Sequence, residues 1–301
     1  MNIAIKLLIA VNVVLVATLT VLFFFFPGKL SKIIPHAPSD ASTVETHNEF
    51  ENMLRAELGE QSDQFAVYFF APTLGDEPLV FQSRPMRPAS MIKMFVMAKA
   101  MTDVRDGNLS LDEPLTLTAE NVVGGAGSIA GEGVGAQVPT RKLIELMIVE
   151  SDNTATNMLI DRLGMDNLNR YLQDNGYRDT IINHKMMLDE GKATNLSSAL
   201  DLGTLFKRIY DHACVDDYYD RLMTDYLLRQ EDTDCFPSAL PYWNIAHKTG
   251  EVEGLYDDGG IFYGASGDFI LVIMDDGIDG REDTIDRMKA ITLNAAALLE
   301  N

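Results

Sequence analysis

Cysteine is scarce: the 301 residues hold only Cys214 and Cys235. They stand too far apart for a CxxC redox or zinc pattern. Sequence leaves open whether they pair as a disulfide, because that bond demands a Cα separation only a fold can show. The five histidines form no HxxxH or comparable ligand spacing, so neither a metal nor a cofactor is expected. Basic residues are also few, 24 Lys and Arg against 45 Asp and Glu, giving a formal net charge of −21. That deficit argues against nucleic acid as a partner, since phosphate tracking needs clustered cations. Internal repeats are lacking, and the one low-complexity feature is a run of four phenylalanines ending at Phe26.

Apolar material is plentiful. Hydrophobic residues make up 47% of the chain, enough for a full-sized core. Leu7 to Phe26, "LLIAVNVVLVATLTVLFFFF", carries no charge. At about 1.5 Å per residue it spans roughly 30 Å as a helix, the thickness of a bilayer's hydrocarbon core. It runs into "PGKLSK" and not into a small-residue cleavage site, so residues 1–26 are expected to hold an uncleaved membrane anchor, a cleaved secretory signal being the alternative. Residues 27–45, with three prolines and small polar residues, read as a linker. The folded domain is expected over 46–301.

Within it, "HNEFENMLRAEL" has helical spacing, and "DQFAVYFFA" and "EPLVFQ" read as strands around a turn. The middle is helical: "TRKLIELMIVE", "NTATNMLIDRLG" and "MDNLNRYLQDNG", the last two closed by Gly164 and Gly176, then "LSSALDLGTLFKRIYD" and "DDYYDRLMTDYLLRQ". Strands return at "YWNIAHKT", "DGGIFYGA" and "DFILVIMD" before a final helix. Strands at both ends with helices between predict an α/β (α+β) sandwich, an antiparallel sheet of about five strands flanked by helices, with a helical subdomain.

Three short motifs carry chemistry. "PASMIKMF" places Ser90 one helical turn ahead of Lys93, so the two share a face. A serine hydroxyl is a weak nucleophile until a base takes its proton, and a desolvated lysine can serve. About one such S-x-x-K arises by chance in a chain this long. "ESDNTATN" adds Ser151, Asp152 and Asn153 between two helices, and "AHKTGE" adds Lys248, Thr249 and Gly250 on a strand. Each triplet is expected by chance roughly one time in ten or less.

S-x-x-K, S-D-N and K-T-G in this order mark the class A β-lactamases and penicillin-binding proteins. The sequence resembles the class A β-lactamase family from about Glu49 to its C-terminus, with 58 residues from Lys93 to Ser151 and 97 from Ser151 to Lys248. The resemblance implies a serine hydrolase that opens the β-lactam amide through an acyl-enzyme on Ser90. Lys93 would accept the Ser90 proton and Ser151 would pass one to the leaving nitrogen. Asn153 would hold substrate and lysine, and Lys248, Thr249 and Gly250 would line the site for the substrate carboxylate. The backbone N–H groups of Ser90 and Glu251 would form the oxyanion hole. Asp152 is expected to brace its turn.

Two departures stand out. The family deacylates with a glutamate on an omega loop, expected here near Lys185 to Met187, where no carboxylate sits. Asp189 and Glu190 are the nearest replacements, with Asn195 five residues after Glu190, and Glu190 is the candidate water activator; otherwise both are solvated loop charges. The stretch after K-T-G, "EVEGLYDDGGIFYGASGDFI", contains no arginine or lysine and instead offers Glu251, Glu253, Asp257 and Asp258, which either rim the site and favour an amine-bearing peptide or point to solvent. His247 is expected to pack or to lie at the surface and not to be catalytic. A D-alanyl-D-alanine peptidase and a penicillin sensor that stays acylated therefore remain alternatives. The partners expected are a β-lactam or a peptidoglycan stem peptide, acting on a monomer held outside the cytoplasmic membrane by its N-terminal helix.

Overall fold

The computed structural model describes residues 41–277 and 280–300, with side chains from residue 48. The expected anchor lies outside these residues, and no described helix is long and apolar enough to cross a membrane. Thr46–Asn301 forms one compact unit. Helix α1 (Ala41–Leu58) begins inside the stretch expected as linker. Residues 41–45, "ASTVE", contain neither glycine nor proline, so nothing in them opposes a helix.

Five strands make one antiparallel sheet: β1 (Phe65–Phe70), β2 (Leu79–Phe81), β5 (Asn244–Val252), β6 (Leu255–Tyr263) and β7 (Phe269–Asp275), in the order β2-β1-β7-β6-β5. β1 and β7 come from opposite ends of the domain and pair along their length, Phe65 with Asp275 and Phe70 with Ile270. Both faces are covered, so "FAVYFF" and "FILVIMD" are apolar without alternation.

The alternation reappears in where the side chains go. Phe65, Val67 and Phe69, with Leu271 and Ile273, pack under α1 and α9 (Arg281–Ala297). Ala66, Tyr68 and Phe70, with Val272 and Met274, pack against the helical side. That side contains α2 (Lys93–Arg105), α3 (Thr140–Val149), α4 (Asn153–Leu163), α5 (Met165–Asp174), α6 (Ala199–Tyr210) and α7 (Asp217–Leu228). A four-residue helix, α8 (Phe236–Ala239), and a ribbon of β3 (Pro114–Thr116) with β4 (Gln137–Pro139) were not expected. Three residues per strand are too few to show a period of two.

Cys214 packs with the helical-side cluster and Cys235 with the cluster on the other face; both are free. With the sheet between them they form no disulfide.

Candidate active site

Each motif sits where two elements meet. Ser90 lies in a 3-10 turn (Ala89–Ile92) that leads into α2, whose first residue is Lys93. The residue ahead of the serine, Ala89, has φ 40°, in the left-handed region that costs a side-chain-bearing residue about 1–3 kcal/mol. Ser151 joins α3 to α4 and also has a left-handed backbone, φ 55°. Its conformation brings both its carbonyl and its hydroxyl to one partner. Lys93 Nζ donates to the Ser151 carbonyl at 2.6 Å and lies 3.1 Å from Ser151 Oγ, 2.9 Å from Ser90 Oγ and 2.8 Å from Asn153 Oδ1. Four acceptors surround an amine with at most three protons.

Lys93 is fully buried. Burial, then repulsion from Lys248, pushes its ionisation well below the ordinary lysine range, with Asp152 opposing. A buried amine that readily loses its proton is suited to take one from Ser90. Lys248, also buried, donates to Ser151 Oγ at 3.0 Å and to the Thr249 carbonyl at 2.8 Å. Its ionisation is lowered by burial to about 8, with Asp232 and Asp258 opposing. Ser151 Oγ thus bridges the two lysines.

Asp152 braces the turn, as expected. One carboxylate oxygen caps α4 through the Ala155 N–H at 2.7 Å, and the other accepts from the Ile129 N–H at 2.8 Å. The glycine-rich loop at 124–127 closes over it. A Cβ on Gly127 would come 2.2 Å from the Asp152 carboxyl carbon, so only glycine fits. Asn153 Nδ2 donates to the Gly124 carbonyl at 3.1 Å. Sequence reasoning missed this loop; its signal was the closely spaced glycines of "VGGAGS".

The glycine of K-T-G has an equally physical reason. A Cβ on Gly250 would lie 2.7 Å from the Pro88 carbonyl oxygen and 3.1 Å from Met91 Cγ. β5 therefore presses directly on the turn that carries Ser90, and the Glu251 N–H follows at once. The Thr249 hydroxyl makes no hydrogen bond among the described residues, leaving it free for an incoming anion.

Glu190 is not brought into this cluster. It is exposed and makes no hydrogen bond or ion pair among the described residues. Asn195, which its spacing had linked to Glu190, instead accepts from the Asn183 and His184 amides at 2.7 and 3.1 Å and so braces the loop. Asn157 pins the loop at Met186 through paired bonds of 2.7 and 3.1 Å. The next residue, Met187, has φ 60° and is 58% exposed; its sulfur lies 3.9 Å from where a Gly125 Cβ would be, beside Asn153. Lys185 pairs with Asp161 at 2.9 Å.

The acidic rim is also reduced. Asp257 and Asp258 are buried, and Glu251 pairs at 2.8 Å with Arg281, which also holds Asp234 at 2.7 Å. Arg281 was invisible from the motif because it comes from α9. His247 packs, as expected, with its Nδ1 3.0 Å from Asp258 Oδ1. Among the described residues no group of histidines, cysteines and carboxylates could hold a metal.

A family model described as the beta-lactamase enzyme family matches residues 49–299. Of solved structures, PBP-A is 25% identical, with a TM-score of 0.78, covering 84% of this chain and 97% of its own. A leucine-to-glutamate variant of PBP-A, in an acyl-enzyme complex with penicillin G, matches with the same values. A beta-lactamase from Sphaerobacter thermophilus DSM 20745, 22% identical with a TM-score of 0.76 over 84% of this chain and 97% of its own, shares the fold. No curated protein matches.

Proposed function

We propose that this chain, which belongs to the beta-lactamase enzyme family, opens β-lactam amides by forming an ester on Ser90 and releases the product slowly. The observation that carries the reading is Lys93: buried, bonded to Ser90 and Ser151, and with no carboxylate hydrogen-bonded to it among the described residues.

In this mechanism neutral Lys93 takes the Ser90 hydroxyl proton as Ser90 Oγ bonds to the carbonyl carbon. The N–H groups of Ser90 and Glu251 receive the oxyanion. When the C–N bond breaks, Ser151 Oγ–H protonates the leaving nitrogen and is restored from the Lys93 ammonium 3.1 Å away. Lys93 ends neutral. Lys248 and Thr249 hold the substrate carboxylate. Hydrolysis of the ester then needs a base for water, and a thioether at Met187 accepts no proton under these conditions.

That same gap favours a second reading, a D-alanyl-D-alanine peptidase or a penicillin sensor using the same acylation chemistry. Such substrates lie outside the cytoplasmic membrane, which goes with residues 7–26 as an anchor. Intact-mass spectrometry of the protein over time with excess penicillin tests both. An adduct on Ser90 that persists for many minutes is expected. Rapid loss of the adduct, with hydrolysed penicillin accumulating, would replace slow release with an efficient β-lactamase, and no adduct would sink the acyl-serine mechanism.

A further inference from the structure

Ser90 sits on a strained turn, and strain of that kind persists only where the surroundings over-determine it. Ala89, with φ 40°, is followed at once by the nucleophile. The residues just before Ala89 are tied to different parts of the domain. Met86 exchanges backbone hydrogen bonds with Ser197, ahead of α6, at 2.7 and 3.0 Å. Pro88 lies under Gly250 of β5, and its carbonyl accepts from the Met91 N–H at 2.8 Å. Arg87, between them, reaches the end of β7: its Nη2 donates to Asp276 Oδ1 at 2.6 Å and its Nε to Asp276 Oδ2 at 3.1 Å.

That end of β7 is itself joined to the β5–β6 turn. The Gly277 N–H donates to the Gly254 carbonyl at 2.9 Å, and the Asp276 N–H donates to the Gln64 carbonyl, ahead of β1, at 3.1 Å. Gly254 has φ 81°, and Arg87 Nη2 lies 3.8 Å from where its Cβ would stand. The guanidinium therefore fills the corner between β7 and the β5–β6 turn. Arg87 is close in sequence to Ser90, and Gly254 is close to Glu251. Those are the two residues whose N–H groups would receive the oxyanion. We infer that Arg87 is a positioning residue for this pair: by bridging the serine turn to the turn that ends β5, it fixes the spacing of the two donors. The inference rests on the acyl-serine reading, in which those N–H groups stabilise the oxyanion. A planar fork on both carboxylate oxygens fixes orientation as well as distance, which a lysine there would not. The paired side chains are 39% and 31% exposed, so loss of the contact should leave stability almost unchanged.

Arg87→Gln, Asp276→Asn and the double variant of the full-length chain test this. Donors aimed at the oxyanion act in the transition state, so the Ser90 acylation rate at saturating penicillin should fall about 10-fold while the half-saturating concentration barely changes. All the variants should show the same loss, because each removes the same contact. The ester carbonyl stretch of the acyl-enzyme, read by infrared difference spectroscopy, should move to higher wavenumber as the donors withdraw. The urea midpoint should stay near that of wild type. An unchanged rate would overturn the inference. So would a lowered rate with an unmoved carbonyl stretch, the mark of a merely structural residue, or losses that multiply in the double variant. If Arg87→Gln does not fold, Asp276→Asn carries the same expectations. Failure of wild type to acylate would refute the functional reading alone. The Ser90 and Glu251 amide resonances of the free protein then decide: both should shift in either single variant, and if both stay in place the inference falls.

Discussion

One hydroxyl, Ser151 Oγ, stands between two amines at 3.1 and 3.0 Å, and the chemistry asks those amines to be in opposite states. In the proposed mechanism acylation needs Lys93 neutral and Lys248 charged. Lys93 lies well below the ordinary lysine range, so the acylation rate should rise with pH as it deprotonates. It should fall again as Lys248 passes about 8. A stopped-flow pH profile with a chromogenic cephalosporin is therefore expected to be bell-shaped, descending near pH 8. Ser90→Ala should abolish labelling by a fluorescent penicillin, and Lys93→Ala should slow acylation by about 100- to 10,000-fold. Labelling that survives Ser90→Ala would move the nucleophile elsewhere.

Elements set how closely these residues approach. Gly250→Ala would drive a methyl to 2.7 Å from the Pro88 carbonyl and part β5 from the serine turn. Overpacking of this kind costs about 1–3 kcal/mol, measurable by urea denaturation, and acylation should fall with it. The omega loop admits a change in the other direction. Met187→Glu places a carboxylate beside Asn153, and the acyl-enzyme lifetime should shorten at least about 10-fold by mass spectrometry. Glu190→Gln should leave that lifetime unchanged, since Glu190 is exposed and without partners among the described residues.

Apolar runs announced β1, β5, β6 and β7, and helical periods with Gly164 and Gly176 announced the bundle, because burial and capping are local consequences of residue type. The motifs pointed to Ser90, Lys93, Ser151 and Lys248 through the resemblance to the class A β-lactamase family, and the fold brings these four side chains together. Hidden were the left-handed Ala89 and Ser151, whose residue types do not betray a positive φ, and the Arg281–Glu251 pair, which depends on where α9 begins. Asp257 and Asp258 looked like surface charge because no pattern distinguishes a buried aspartate from a solvated one.

Over the whole molecule, the formal charge of −21 is joined by carboxyls that the interior disfavours. Burial raises Asp275 from its ordinary 3.8 to about 8, and Asp257 well above its usual range; each leaves one oxygen without a partner. A carboxyl raised in the folded state binds more protons there than in the unfolded chain. For Asp275 the contribution is greatest below about pH 4 and is lost as pH rises through 8, the same direction as self-repulsion among the acidic residues. Asp275→Asn keeps an acceptor for the Tyr256 amide while removing the charge. Its unfolding free energy should fall less steeply between pH 5 and 8 than that of wild type, as read by urea titration at several pH values.

The pairing of β1 with β7 carries a consequence in time. The first long strand of the domain has its central partner only when nearly the last strand has been made. Closing that loop is entropically slow and rewarded late. A ribosome-bound chain that already contains Ser90, Lys93 and Ser151 therefore has no sheet to hold them against Lys248. Reactivity toward penicillin should appear abruptly, after β7 emerges, making the covalent label a clock for completion of the fold.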